Sequence, residues 1–174
     1  MAKASVRKKA STKASGGVII RRAKKEDVPA IVAMNAELLR FHEPLDKSFG
    51  IAVSDRALRR ILMKHKADRV ATRCVRLAVA EYSGKVVGYC FSFATTRLPV
   101  GQTRRAVHVQ DMCVAARCRR RGIGRALFDD VAHWARSRGI TRIEVAFAPA
   151  NKLSSSFWQG LGFRTYLIDA YLDI

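Results

Sequence analysis

Apolar positions along this chain recur with two periods, about every three to four residues in some stretches and every second residue or in short continuous runs in others. Val18 to Arg21 is short enough to predict a strand, and the next stretch switches period. Val28, Ile31, Val32, Met34, Leu38 and Leu39 fall on one helical face, with Glu26 and Asp27 in the first turn, where carboxylates meet the positive end of the helix dipole. Pro29 is tolerated there because a first-turn N–H has no intrahelical partner, and Pro44 disfavours helical geometry at Glu43, so this helix ends near Phe41 or His42. Leu45 to Val53 reads as a connection. Ser54 then caps a second helix to about Lys66, with Leu58, Ile61 and Leu62 facing inward.

Val75 to Ala80 and Val86 to Phe93 predict two strands around Ser83-Gly84, a hairpin signal that pairs them antiparallel. Pro99 and Gly101 interrupt the next segment, and the apolar run Ala106 to Val114 predicts a central strand. Gly122 to Arg138 carries Ile123, Leu127, Val131 and Trp134 at helical spacing and stops at Gly139, and Ile140 to Phe147 is the strand that follows. Strand, glycine turn, helix and strand make a crossover unit, so the sheet is at least partly parallel. Asn151 to Gln159 predicts a short helix, Gly160 to Phe163 a turn and Thr165 to Leu172 a last strand. There is no internal repeat.

At 174 residues and 49% hydrophobic content the chain fits one domain with a real core. The 33 Lys and Arg against 14 Asp and Glu give a formal charge of +19, which attracts polyanions without naming one. Much of that excess lies before Lys25, in a segment with no acidic residue. Residues 1–17 therefore read as a disordered basic tail and 18–174 as the folded domain. The tail lacks the apolar core of a secretory signal and no segment approaches a membrane span, so a soluble cytoplasmic protein with no membrane contact is expected. Cys74, Cys90, Cys113 and Cys118 form no CxxC pair; three of the four lie in or against apolar runs, so free buried thiols rather than disulfides are expected, and neither they nor the scattered histidines suggest a metal.

Arg117 to Arg125, RCRRRGIGR, is the most specific chemistry in the chain. A strand that yields to two glycines at a helix start leaves backbone N–H groups unpaired, and five arginines in nine residues supply counter-charge for an anion. Neither the dinucleotide pattern nor a P-loop is met. The strand HVQDMCV, the loop and helix AARCRRRGIGRALF and the later APANKLSSSFWQGLGF, in that order, resemble the GCN5-related N-acetyltransferase (GNAT) superfamily from about Val18 onward. The resemblance implies a single-domain α/β (α+β) fold with a mixed central sheet of six to seven strands, flanked by about four helices and splayed at the acetyl-CoA site. It implies acetyl-CoA as cosubstrate, with the pyrophosphate on Arg119, Arg120, Arg121, Gly122, Ile123, Gly124 and Arg125. The pantetheine would run beside Met112, Cys113 and Val114, with Asn151 and Phe157 near the cofactor arm. The activity implied is direct acetyl transfer to a primary amine of a small molecule or protein in a ternary complex.

Asp111 interrupts an apolar strand beside the presumed pantetheine contact and shares a face with Val109 and Cys113 if the alternation is unbroken. It reads as general base or substrate anchor, with a structural carboxylate as the alternative; His108 is a second candidate base. The resemblance implies an acceptor wall around the end of the first helix, where Glu37, Phe41, His42, Glu43 and Asp46 cluster, with Glu37 as a second catalytic carboxylate; a solvated helix face is the alternative. Trp158 stands where many family members carry a tyrosine acid. Its indole N–H cannot protonate a thiolate, which leaves Tyr89, Tyr166, Tyr171 or water. The last strand either completes its own sheet or joins a homodimer, and the tail offers a salt-sensitive nucleic-acid contact. A non-catalytic acyl-CoA sensor or a nucleic-acid- or ribosome-associated basic protein is the alternative to catalysis.

Overall fold

The computed structural model describes residues 12–14, 17–68, 70, 72–96 and 105–172. In chain order these hold β1 (Thr12–Ala14), β2 (Val18–Arg22), α1 (Val28–His42), α2 (Asp55–Ala67), β3 (Val75–Tyr82), β4 (Lys85–Thr96), β5 (Arg105–Val114), α3 (Ile123–Arg136), β6 (Ile143–Val145) and α4 (Lys152–Gly160). The strands form one mixed sheet in the order β1 to β6. All neighbours pair antiparallel except β6, which runs parallel to β5 after the α3 crossover.

Local chemistry accounts for most of the boundaries. Ser54 accepts a hydrogen bond from the Ala57 N–H and starts α2, and Asn151 accepts one from the Ser154 N–H and starts α4. Ser83 and Gly84 both take positive φ, 48° and 72°, as a two-residue hairpin joining right-twisted strands demands. Two apolar layers sandwich the sheet. Leu127, Val131 and Trp134 of α3 and Trp158 of α4 pack on Ala78, Cys90, Val107 and Val109. On the other face Val28, Ile31 and Val32 of α1 pack on Leu77, Val79, Tyr89, Phe91 and Cys113. Each fully buried side chain of this size contributes about 1.5–3 kcal/mol, so these two layers hold the fold.

Several expectations are corrected. Thr165 to Leu172 forms no strand, and Tyr166, Leu167, Ile168, Tyr171 and Leu172 are exposed. β6 pairs over three residues only rather than Ile140 to Phe147, which leaves the final segment little edge to join. That segment is fixed instead by Arg142 stacking on the Tyr166 ring, 4.6 Å from its centroid, and by the Tyr171 hydroxyl donating to the Asp46 carboxylate at 3.1 Å. β5 is second from the edge of the sheet rather than central. Thr12–Ala14, expected in a disordered tail, is a strand on β2, while residues 1–11 and 15–16 of that tail, with Pro99 and Gly101, lie outside the described residues. Ile61 points outward at 53% exposure, and Lys66 takes the inward place at 1%. No described helix is long and apolar enough to cross a membrane.

Polar ties close the layers. Arg21 on β2 grips Asp27 with two nitrogens, at 2.6 and 2.8 Å, and Glu81 with its Nε at 2.7 Å. The Arg21 hydrogen bonds hold the Asp27 carboxyl below the usual carboxylate range, with burial opposing. A depressed folded value stabilises the protein above the unfolded value and loses that stability as pH falls through the folded one. Asp27→Asn is expected to cost about 2–3 kcal/mol near neutral pH and to flatten the decline in thermal midpoint between about pH 5 and about pH 2, followed by circular dichroism.

Candidate active site

The site is built where β5 breaks step. Asp111 stands opposite Phe91 and Val109 opposite Ser92, so Gln110 is an extra residue on β5, a bulge. The extra residue reverses the alternation. Val107 and Val109 below it pack in the α3 layer, whereas Cys113 above it packs in the α1 layer with Phe91, the residue Asp111 opposes. Asp111 thus shares a face with Cys113 and not with Val109, and unbroken parity fails at this point.

β6 accompanies β5 only from Val107 to Val109 and then diverges. The Ala115 N–H donates to the Val87 carbonyl on β4, so alternation turns the N–H and C=O groups of Met112 and Val114 the other way, into the gap that β6 leaves. The Arg119 Nε–H donates to the Val114 carbonyl at 3.0 Å, joining the loop to that open edge. Beyond Val109 this edge of β5 has no strand partner among the described residues.

The loop between β5 and α3 turns at its far end. Buried Cys118 anchors it, Arg120 takes φ 61° and Gly122 φ 75°, and α3 begins at Ile123 with no side-chain cap. The first intrahelical acceptor, the Gly122 carbonyl, serves the Ala126 N–H, so the N–H groups of Ile123, Gly124 and Arg125 have no intrahelical partner. Arg117, Arg119, Arg120, Arg121 and Arg125 are all exposed around them. Open space surrounds the Gly122 Cα, whereas a Cβ on Gly124 would lie 3.1 Å from Phe157 Cε2. Gly124 therefore lets α4 close on α3 through Phe157.

On the face toward α1, Asp111 is held by the Lys66 ammonium, which lies 4.3 Å from the Phe91 ring centroid. Sequence reading passed over Lys66. Its spacing of four from Leu62 and eight from Leu58 was the signal that it sits on the inward face of α2. The Cys113 thiol is pushed up to about 11, by burial above all, with Arg119 opposing and Glu37 and Asp111 adding. Cys113 therefore stays a thiol at neutral pH.

His42 places Nδ1 2.7 Å from the Leu38 carbonyl, which makes Nδ1–H the donor and assigns Nε2 as acceptor from Asn151 Nδ2 at 3.2 Å. The end of α1 is thereby tied to the start of α4 across the opening. Phe49 lies against the His42 ring, with centroids 5.4 Å apart, and exposed Phe41 sits edge-on to it. Asp46 accepts from the Ser48 N–H and the Tyr171 hydroxyl, which hold its carboxyl below the usual range. His108 packs against Phe93 and opposite Glu144 on β6, and burial lowers its pKa against the pull of Glu144. Trp158 is buried, its indole N–H donating to Ser154 Oγ at 3.0 Å, and it packs with Phe128, Phe157 and Phe163. Tyr89 is fully buried in the α1 layer, where burial keeps its hydroxyl protonated, and Tyr166 and Tyr171 are fixed on Arg142 and Asp46.

The edge of β5 beyond Val109 thus lies next to an uncapped helix start ringed by exposed arginines. The chain belongs to the acetyltransferase (GNAT) family, whose model matches residues 21–163. No curated protein matches it. Among solved structures it is similar to a mutant of the BH1408 protein of Bacillus halodurans, with TM-score 0.78 and 21% identity over 89% of this chain and 98% of that one. It is also similar to an aminoglycoside 6'-N-acetyltransferase of Acinetobacter baumannii, with TM-score 0.72 and 15% identity over 91% and 98%. A predicted acetyltransferase of Clostridium acetobutylicum with acetyl-CoA gives TM-score 0.67 and 18% identity over 90% and 95%.

Gly124→Leu is expected to push Phe157 and α4 away from α3, weakening coenzyme A binding about tenfold or more in calorimetric titration. Unchanged affinity would refute the role of this contact in shaping the site.

Proposed function

We propose that this chain moves the acetyl group of acetyl-CoA directly onto a primary amine of a small molecule or protein. The observation that carries this reading is the juxtaposition of two binding elements: the outward backbone groups of Met112 and Val114 and the uncapped, arginine-rich start of α3. Acetyl-CoA supplies the activated thioester. Guanidinium groups of Arg119, Arg120, Arg121 and Arg125, with the N–H groups of Gly122, Ile123, Gly124 and Arg125, hold the pyrophosphate. Backbone of Met112 and Val114 pairs with the amides of the arm beside Cys113, and Asn151 and Phe157 flank it.

Asp111 accepts the acceptor's proton, through water, on the oxygen that Lys66 does not occupy. Glu37 and Asp46 attract the ammonium form of the acceptor, and Phe41 and His42 wall its approach. Protonated Cys113 forms no acyl intermediate, and solvent protonates the departing thiolate, since Trp158 has no acidity for the task. Positioning and backbone donors supply most of the rate.

Thiol release from acetyl-CoA with kanamycin A, spermidine and a lysine-rich peptide as probe amines tests this directly. Turnover on at least one is expected, whereas tight binding without turnover on any would favour a sensor. Asp111→Asn is expected to lower kcat about 100-fold while leaving acetyl-CoA affinity within about twofold, and wild-type turnover would remove Asp111 from the reaction. Gly122→Glu adds negative charge to the cradle and is expected to abolish coenzyme A binding in calorimetric titration. Retained affinity would refute the phosphate placement.

A further inference from the structure

Lys66 is a charged side chain where the spacing of α2 calls for an apolar one. It follows Leu58 and Leu62 on the inward face, is 1% exposed, and packs its ammonium over Phe91 and beside the Tyr89 ring, 5.8 Å from that centroid. A buried ion pair is poor evidence for stability, because desolvating both charges offsets most of their attraction and an apolar pair of similar volume often does as well. This pair has a different distinction, its place. Asp111 follows the bulge at Gln110 immediately and precedes Met112, the first residue whose backbone turns into the gap left by β6.

Lys66 Nζ bonds to Asp111 Oδ2, and no hydrogen bond to Oδ1 is present among the described residues. The Asp111 side chain keeps 17% of its surface, while that of Lys66 keeps 2%. A carboxylate otherwise rotates broadly about its last torsion. One oxygen gripped by an ammonium wedged over Phe91 fixes the plane of the group and leaves the other to the solvent-facing side.

We infer that Lys66 is a positioning residue for acetyl transfer, holding Asp111 by Oδ2 so that Oδ1 is the oxygen that takes the acceptor's proton. This rests on the reading of Asp111 given above. Lys66 touches neither acceptor nor cofactor and acts only through the carboxylate. Small misplacement of such a group costs as much as about 100-fold in rate, so the effect belongs in kcat and not in cofactor affinity.

A double-mutant cycle tests the inference, with kcat and acetyl-CoA KM measured on kanamycin A, spermidine and the lysine-rich peptide. Lys66→Met keeps the stem and removes the charge. The expected result is a kcat at least about tenfold lower, an acetyl-CoA KM within about twofold of wild type, and no further fall in kcat when Lys66→Met is added to Asp111→Asn. The double variant leaves no unpaired buried charge whereas each single variant leaves one, so the thermal midpoints of all three are measured by circular dichroism and kcat is compared per folded protein. Wild-type kcat in Lys66→Met, or a further loss of kcat in the double variant relative to Asp111→Asn, would overturn the positioning role while leaving Asp111 in place. Wild-type kcat in Asp111→Asn, or no turnover of any probe amine by the wild-type chain, would bring down the reading beneath it as well.

Discussion

The extra residue at Gln110 governs the rest of this structure. Were Gln110 accommodated in the regular pleat, without the bulge, Asp111 would continue the alternation of Val107 and Val109 and lie in the apolar layer under α3. With it, the carboxylate faces the α1 layer, Cys113 follows it, and the backbone of Met112 and Val114 turns to the side where β6 has left. In the proposed reaction this one bulge sets the side chain for the acceptor on one face and a hydrogen-bonding edge for the cofactor arm beside it.

Charge is segregated around that bulge. Exposed arginines surround the loop into α3, whereas Glu37, Glu43 and Asp46 lie along the end of α1 and the turn beyond it. A formal charge of +19 therefore does not describe the proposed acceptor wall, where these carboxylates lie beside the Phe41, His42 and Phe49 rings. Asn151 links the two regions. It caps α4 with its carbonyl oxygen and reaches His42 with its amide, so α1 and α4 are registered across the opening by one side chain.

Helices, the β3–β4 hairpin and the glycine turn into α3 were legible because each rests on local chemistry: a cap at Ser54, positive φ at Ser83 and Gly84, four-residue spacing from Ile123 to Leu127 to Val131. The bulge was not, since an extra residue in a strand leaves the run of residue types unchanged. Thr165 to Leu172 misled for a related reason. Its apolar alternation suits a strand, but strand formation needs a partner edge, and β6 is too short to provide one. Asp111 stood out as a charge in an apolar run. Lys66 did not, because lysine at the end of a surface helix is ordinarily solvated and complements the helix dipole; its burial depends on a carboxylate forty-five residues away.

Amide chemical shifts of the isotope-labelled full chain, followed during titration with coenzyme A, test the central claim most directly. The account predicts saturable shifts centred on Met112, Val114 and the residues from Gly122 to Arg125, with little change along β2 and β3. Shifts confined to the basic segment before Gly17, with Met112, Val114 and Gly122 unmoved, would contradict it.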